Sequence, residues 1–304
     1  MRRVFLFLWL AAFSAAAMAE PMADLWVQTT PEYQACCLQT YNLATRNLED
    51  LAKLLEKDAQ GRACLPGTKT PVAIVMDLDE TVVDNSGFQA FSIQTNTTYS
   101  DDLWLDWMRF QAQTPAACRA VPGAVEYIAR AQALGLTPVF ISNRQNEGWE
   151  DTKVLLETLK INTDNLPERL LLKLPKAEET ARARALVDRL GLDTDSQEAL
   201  EILQSEGTKE TRRRLIAEKY AVAGYFGDML SDFAPYLKKP NSPTPAADRA
   251  AQAERYRRRW GNHWYVLPNP TYGYWAPGQT LPAEHPEGAL NDYGFAEYLK
   301  KAHH

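Results

Sequence analysis

Apolar residues recur along this chain in a repeating order: helical spacing, a short unbroken apolar run, then helical spacing again. "PEYQACCLQTYNLATRNLEDLAKLLEKD" (31–58) places its apolar residues on one face of a long helix. The turn-rich "GRACLPGTKTP" breaks that pattern, and "VAIVM" (72–76) follows as a short buried strand. "PGAVEYIARAQALGL" predicts a helix with Pro122 near its start, and "TPVFISNR" a second buried strand. Glu150 to Leu159 predicts a further helix, and "RLLLK" is again apolar. Residues 174–206 read as charged and helical, and "TKETRRRLIAEKYAVAGYF" as a helix leading into a strand. Between the first strand and Pro122 the periodicity is weak and aromatic residues are many, so only a small helix around Trp104 to Gln111 is expected. Helices alternating with buried strands predict an α/β fold, a Rossmann-like parallel sheet flanked by helices. No internal repeat or low-complexity linker divides the chain, and one domain with insertions fits better than two.

The first residues, "MRRVFLFLWLAAFSAAAMAE", follow a different logic. Arg2 and Arg3 form a positive n-region, Val4 to Phe13 an apolar h-region, and Ala17-Met18-Ala19 a small-residue cleavage site. Residues 1–19 are therefore expected to be a signal peptide, with residues 20–304 the mature domain. No cysteine precedes Cys36, which argues against a lipid anchor at the cleavage site, and no later segment is apolar enough to cross a bilayer. The expected location is periplasmic or secreted. The net charge is −6, and cleavage leaves 31 basic against 39 acidic side chains, or −8. Such a chain gains no electrostatic help from a nucleic-acid polymer. Four cysteines are no disulfide scaffold in a chain this long, although a single bridge from Cys36 or Cys37 to Cys64 stays open.

Candidate chemistry sits where the buried strands stop. Asp77 and Asp79 follow "VAIVM", Ser142 and Asn143 follow "PVFI", and Asp228 and Asp232 follow "GYF". In open parallel sheets ligands bind at the carboxyl ends of strands, so neighbouring strands would bring these residues to one spot. Oxygen ligands with no His or Cys among them suit a hard divalent cation, Mg²⁺ above all, which also lets several carboxylates sit together. An EF-hand loop starting at Asp77 is excluded, because its sixth and twelfth positions hold Val82 and Phe88.

"VMDLDETVVDNS", "FISNR", "TKETRR" and "GDMLSDF" resemble, in order, the four motifs of the haloacid dehalogenase-like (HAD) phosphatases. "WVQTTPEYQACCLQTYN", "LWLDWM", "AVPGAVEYI" and "LPNPTYGYW" are similar to the class C bacterial acid phosphatases, the lipoprotein 5'-nucleotidase group. The resemblance implies a HAD-like fold with a small cap inserted between the first two motifs, at about 86–120. It implies Asp77 as the nucleophile that forms an aspartyl-phosphate, and Asp79 as acid and then base. Ser142 and Lys209 would bind the phosphoryl oxygens. Mg²⁺ would be held by Asp77, the backbone carbonyl of Asp79 and Asp228, with Asp232 in support. The resemblance also points to Asn85, Trp104 and Tyr272 on the substrate side, with Asn143 beside Ser142. The expected substrate is a small phosphomonoester, a nucleoside 5'-monophosphate.

Three features depart from that pattern or compete with it. Residues 174–206 look like a helical insertion, Met229 stands where the family often has Asn, and the lipid-attachment cysteine is missing. "RYRRRW" mixes basic and aromatic residues but reads as a solvated helix face, and His263, His285, His303 and His304 show no metal-ligand spacing. A phosphotransferase using the same site, or a silent binding or storage relative, remain the alternatives, and a homo-oligomer stays open. Retention of Asp77, Asp79, Lys209 and Asp228 speaks against the silent form.

Overall fold

A computed structural model of the chain describes residues 21–203, 209–234, 246–273 and 292–303. The expected signal peptide, residues 204–206 of the insertion, Trp275, His285 and His304 lie outside the described residues. The apolar runs form five strands, β1 (Val72–Met76), β2 (Thr137–Gln145), β3 (Leu170–Lys173), β4 (Ala221–Gly227) and β5 (Trp264–Val266). They make one sheet in the order β3-β2-β1-β4-β5, and every neighbouring pair is parallel. The order reverses beside β1, the place where an open sheet leaves a crevice for a ligand. Met76 pairs with Phe140 on one side and Phe226 on the other, so Asp77, Ser142 and Asp228 stand at nearly the same height, although β2 continues past Ser142 to Gln145.

All five residues of β1 are buried, which explains the unbroken apolar run: the strand is covered on both faces. Val72, Ile74 and Met76 enter the larger core, whereas Ala73 and Val75 pack with Val139, Ile141 and Ile216 on the opposite face. The larger core is capped by α2 (Pro31–Ala52), which follows α1 (Pro21–Thr29). Thr30 begins α2 by accepting a hydrogen bond from the Tyr33 amide, and Pro31 occupies the first turn. Its buried residues are Tyr33, Cys37, Tyr41, Ala44 and Leu48, one helix face. Each large side chain so removed from water contributes about 1.5–3 kcal/mol. The Tyr41 hydroxyl then donates to the Thr81 carbonyl at 2.6 Å, tying this helix to the loop after β1.

The weakly periodic region contains two helices rather than one, α3 (Ser86–Thr95) and α4 (Asp101–Gln113). Phe88, Phe91, Trp104, Trp107, Met108 and Phe110 form a separate aromatic core, completed by Phe295 from the helix Phe295–Ala302. Residues α5 (Ala124–Ala133) and α6 (Trp149–Thr158) then flank the sheet. The insertion folds as two helices, Lys176–Leu190 and Gln197–Leu203, around Ala183, Leu186, Val187, Ala199 and Ile202. Cys36, Cys37, Cys64 and Cys118 are all free, so no bridge to Cys64 forms, and Cys37 packs in the core. The helix Ala246–Arg255 stops at Arg255, so Arg257, Arg258 and Arg259 lie exposed in the turn beyond it and not on a helix face. Among the described residues no helix is long and apolar enough to cross a membrane.

Candidate active site

Asp77 leaves β1 with its backbone amide still bonded to the Phe226 carbonyl at 2.9 Å, which fixes it beside β4. Its carboxylate is buried. The Lys209 Nζ lies 2.5 Å from Asp77 Oδ1 and 2.8 Å from Asp232 Oδ1. Lys209 stands immediately before the helix Glu210–Ala217, with a left-handed backbone at φ 61°. Lys173, at the end of β3, makes no ion pair with these carboxylates among the described residues. Asp232 is held in turn by its Oδ2, which accepts from the Met229 amide at 2.9 Å. A methyl group on Gly227 would collide with the Asp232 carboxylate, so the strand end must be glycine for this approach.

Asp77, Asp228 and Asp232 bring one carboxylate oxygen each within 4.8 Å of one another. Burial pushes the Asp77 carboxyl up to about 7, against the pull of Lys209 and aided by Asp232 and Asp79. Asp228 is raised well above the usual carboxylate range by burial, then by Asp232 and Asp77. Burial opposes the Lys209 charge, but Asp232 and Asp77 outweigh it and its pKa is raised. One ammonium among three close carboxylates leaves excess negative charge, and an all-oxygen donor set of this kind fits a hard divalent cation. Asn269 donates to Asp228 Oδ2 at 2.8 Å and accepts from the Thr271 amide and hydroxyl, which orients Asp228 from the loop after β5.

The Asp79 carboxylate lies outside that acidic cluster. Its Oδ1 accepts from Asn85 Nδ2 at 3.0 Å and from Arg144 Nε at 2.9 Å, with Arg144 Nη2 at 2.8 Å. Its Oδ2 accepts from Ser142 Oγ at 3.2 Å. Any metal role for Asp79 therefore falls to its backbone carbonyl. Asn85 is fully buried, and its amide oxygen accepts from Trp107 Nε1 at 2.9 Å and Gln111 Nε2 at 3.1 Å. Those are the surroundings of a side chain that orients its neighbours, and they differ from the substrate-facing position expected for it. Asn143 is exposed and accepts from Arg212 Nη2 at 2.6 Å. Trp104 packs edge-on against Phe88 at 4.9 Å, with the Arg144 guanidinium 5.8 Å from its ring. Tyr272 donates its hydroxyl to Glu80 Oε2, and the Asn85 amide donates to Glu80 Oε1 at 3.0 Å. These bonds hold Glu80 in a left-handed backbone, φ 54°, a conformation costly for any residue with a Cβ.

Arg144, Arg212 and Asn269 carry no role in the sequence reading. Arg144 and Arg212 stand inside the quoted "FISNR" and "TKETRR", but their burial, 1% and 2% exposed, is invisible there. Arg212 donates to the Ser142 carbonyl and so props the end of β2 from below. Burial lowers its pKa to about 10, although Glu179 of the insertion and Asp77 act to raise it.

A family model described as HAD superfamily, subfamily IIIB (acid phosphatase), matches residues 11–275. Among solved structures, the class C acid phosphatase from Bacillus anthracis superposes with a TM-score of 0.61 at 29% identity, covering 93% of this chain and 94% of that one. A tungstate-bound structure of class C acid phosphatase from the same organism gives 0.61 and 30% over the same shares. With the acidic strand ends and the buried lysine in place, this chain belongs to the subfamily IIIB acid phosphatases of the HAD superfamily and is a phosphomonoester hydrolase.

Proposed function

We propose that the protein is an exported, Mg²⁺-dependent acid phosphatase that hydrolyses nucleoside 5'-monophosphates through an aspartyl-phosphate. The observation that carries the reading is Asp77 at the end of the central strand, in contact with Lys209 and within the Asp228–Asp232 cluster. Asp77 attacks phosphorus in line while the bond to the leaving oxygen breaks and Asp79 supplies that oxygen with a proton. Asp79 then takes a proton from the water that hydrolyses the acyl phosphate. Lys209 and Ser142 meet the phosphoryl oxygens, and Asp232 holds Lys209 in place for that contact. Asp77, Asp228, Asp232 and the Asp79 carbonyl are the groups that would hold Mg²⁺, which supplies positive charge between an anionic nucleophile and an anionic phosphate.

Tungstate bound to the Bacillus anthracis relative supports a tetrahedral oxyanion as ligand. Tyr272 on Glu80, in the loop that carries Asp79, and Trp104 beside the arginine that holds Asp79 support a nucleoside leaving group. The n-region, h-region and small-residue site at the N-terminus support export to the periplasm or beyond.

Phosphate release from AMP and from p-nitrophenyl phosphate tests the reading, with Mg²⁺ or EDTA, for wild type and Asp77→Asn. Turnover is expected with metal, is lost with EDTA, and falls at least about 10³-fold in the variant, the scale at which a covalent nucleophile is missed. Turnover that survives in Asp77→Asn would sink the nucleophile assignment. A preference for p-nitrophenyl phosphate with no release from AMP would remove the nucleotide substrate.

A further inference from the structure

Arg144 is the feature of the site that the reaction as described does not use. It is 1% exposed, spans the gap between Asp79 and the aromatic cluster of α4, and has a buried Nη1 with no hydrogen-bond partner among the described residues. An unpaired buried N–H costs about 1–3 kcal/mol, so this arginine is not placed for its own stability. Its other nitrogens are fully committed. Nε and Nη2 both meet Asp79 Oδ1, and Nη2 also reaches Gln111 Oε1 at 3.1 Å on α4 and Asn85 Oδ1 at 3.4 Å.

We infer that Arg144 is a positioning residue that turns the Asp79 carboxyl so that Oδ2, and not Oδ1, exchanges the proton with the leaving oxygen. The inference rests on the reading of Asp79 as general acid. The argument is one of lone pairs. Asp79 Oδ1 accepts two N–H hydrogen bonds, from Asn85 Nδ2 and Arg144 Nε, with Arg144 Nη2 in ion-pair contact at 2.8 Å, and a carboxyl oxygen so engaged has no place for a proton. Among the described residues Oδ2 meets only the Ser142 hydroxyl at 3.2 Å, a group that rotates to donate or to accept. The carboxyl is thereby given one saturated oxygen and one that can carry a proton. In the first half-reaction the Asp79 Oδ2–H bond breaks as the leaving oxygen gains that proton and loses its bond to phosphorus, while Asp77 forms the new bond. Because Gln111 and Asn85 hold the same guanidinium, the cap helix α4 is wired to the acid rather than merely covering it.

A leaving group that departs readily as an anion needs little help from the acid, whereas an alkoxide needs a proton. The test is kcat/KM, which reports steps only through formation of the aspartyl-phosphate, for p-nitrophenyl phosphate and for glycerol phosphate. Wild type, Arg144→Ala, Arg144→Lys and Asp79→Asn are compared with Mg²⁺ saturating. Arg144→Ala is expected to lose about 100-fold or more on the alkyl ester and less than about 10-fold on the aryl ester, the scale of general acid catalysis. Arg144→Lys, which keeps the charge but cannot place two donors on one oxygen, is expected to show the same selectivity with a smaller loss, and serves if the alanine variant does not fold. Equal losses on the two esters in a folded Arg144 variant, while Asp79→Asn still discriminates between them, would overturn the inference and leave Asp79 as the acid. An Asp79→Asn variant that does not discriminate removes the acid role itself, and the inference with it.

Discussion

Asn269 shows how one side chain can tune a site it does not enter. It fixes Asp228 Oδ2 with one bond of 2.8 Å and is itself fixed by Thr271. Replacing such an outer partner usually costs 10–100-fold in metal affinity. Asn269→Ala is therefore expected to raise the Mg²⁺ concentration for half-maximal activity by about 10-fold or more, with kcat at saturating metal little changed, in a metal titration of phosphate release. A fall in kcat at unchanged metal dependence would place Asn269 on the substrate instead. At this scale the sequence is legible where a functional residue directly follows a buried apolar run, as Asp77, Ser142 and Asp228 do. It is opaque where the partner comes from far along the chain. Glu80 meets Tyr272 across 192 residues, and Asp228 meets Asn269 across 41. No local pattern encodes either pairing.

Helices and strands were legible to the extent that they have two unlike faces or none. The first four strands of the sheet read as apolar runs and α2 and α5 as one-sided stripes, whereas β5, three residues in an aromatic and turn-rich stretch, gives no such run. The helix α3 was missed for a physical reason: every residue from Ser86 to Ile93 is buried, polar ones included, so it has no solvent face to generate a 3.6-residue rhythm. It is helical because it is enclosed between α1, the loop after β1 and the aromatic core of α4. The helix Phe295–Ala302 closes that core through Phe295, which is wholly buried and lies 5.1 Å from the Trp107 ring and 4.9 Å from that of Phe91. Removing a buried ring of this kind costs about 3–5 kcal/mol. Phe295→Ala is expected to lose that much in urea unfolding followed by tryptophan fluorescence, since Trp104 and Trp107 share the cluster. Activity should fall with it, because Trp107 and Gln111 of the same cap hold Asn85. A loss below about 1 kcal/mol would mean that the cap core stands without its last helix.

Burial raises the carboxyls of four acids, Asp24, Asp77, Glu80 and Asp228, so each favours holding its proton. Three of these, Asp77, Asp228 and Glu80, belong to the catalytic centre and its loop, where a bound cation would reverse the trend. Asp24 is the clean case because it sits away from them. It lies on α1, fully buried, with neither carboxyl oxygen hydrogen-bonded among the described residues, and its charge would face that of Asp84. Asp84 has its own cation, Arg119 at 3.2 Å, whereas Asp24 has none among the described residues. Burial first, and Asp84 second, push Asp24 from 3.8 up to about 8. Between those values the folded protein holds a proton that the unfolded chain releases, so this group makes stability fall as pH rises from about 4 to about 8. Above that range both states have lost the proton and the penalty is constant. Asp24→Asn keeps the shape and cannot ionise. With Mg²⁺ saturating, the variant is expected to melt higher than wild type at pH 7.5, by a margin that shrinks steadily on acidification and closes near pH 4. A margin that stays constant with pH would show that Asp24 does not titrate on folding, and a variant less stable at every pH would show that its carboxyl has a partner in the native state.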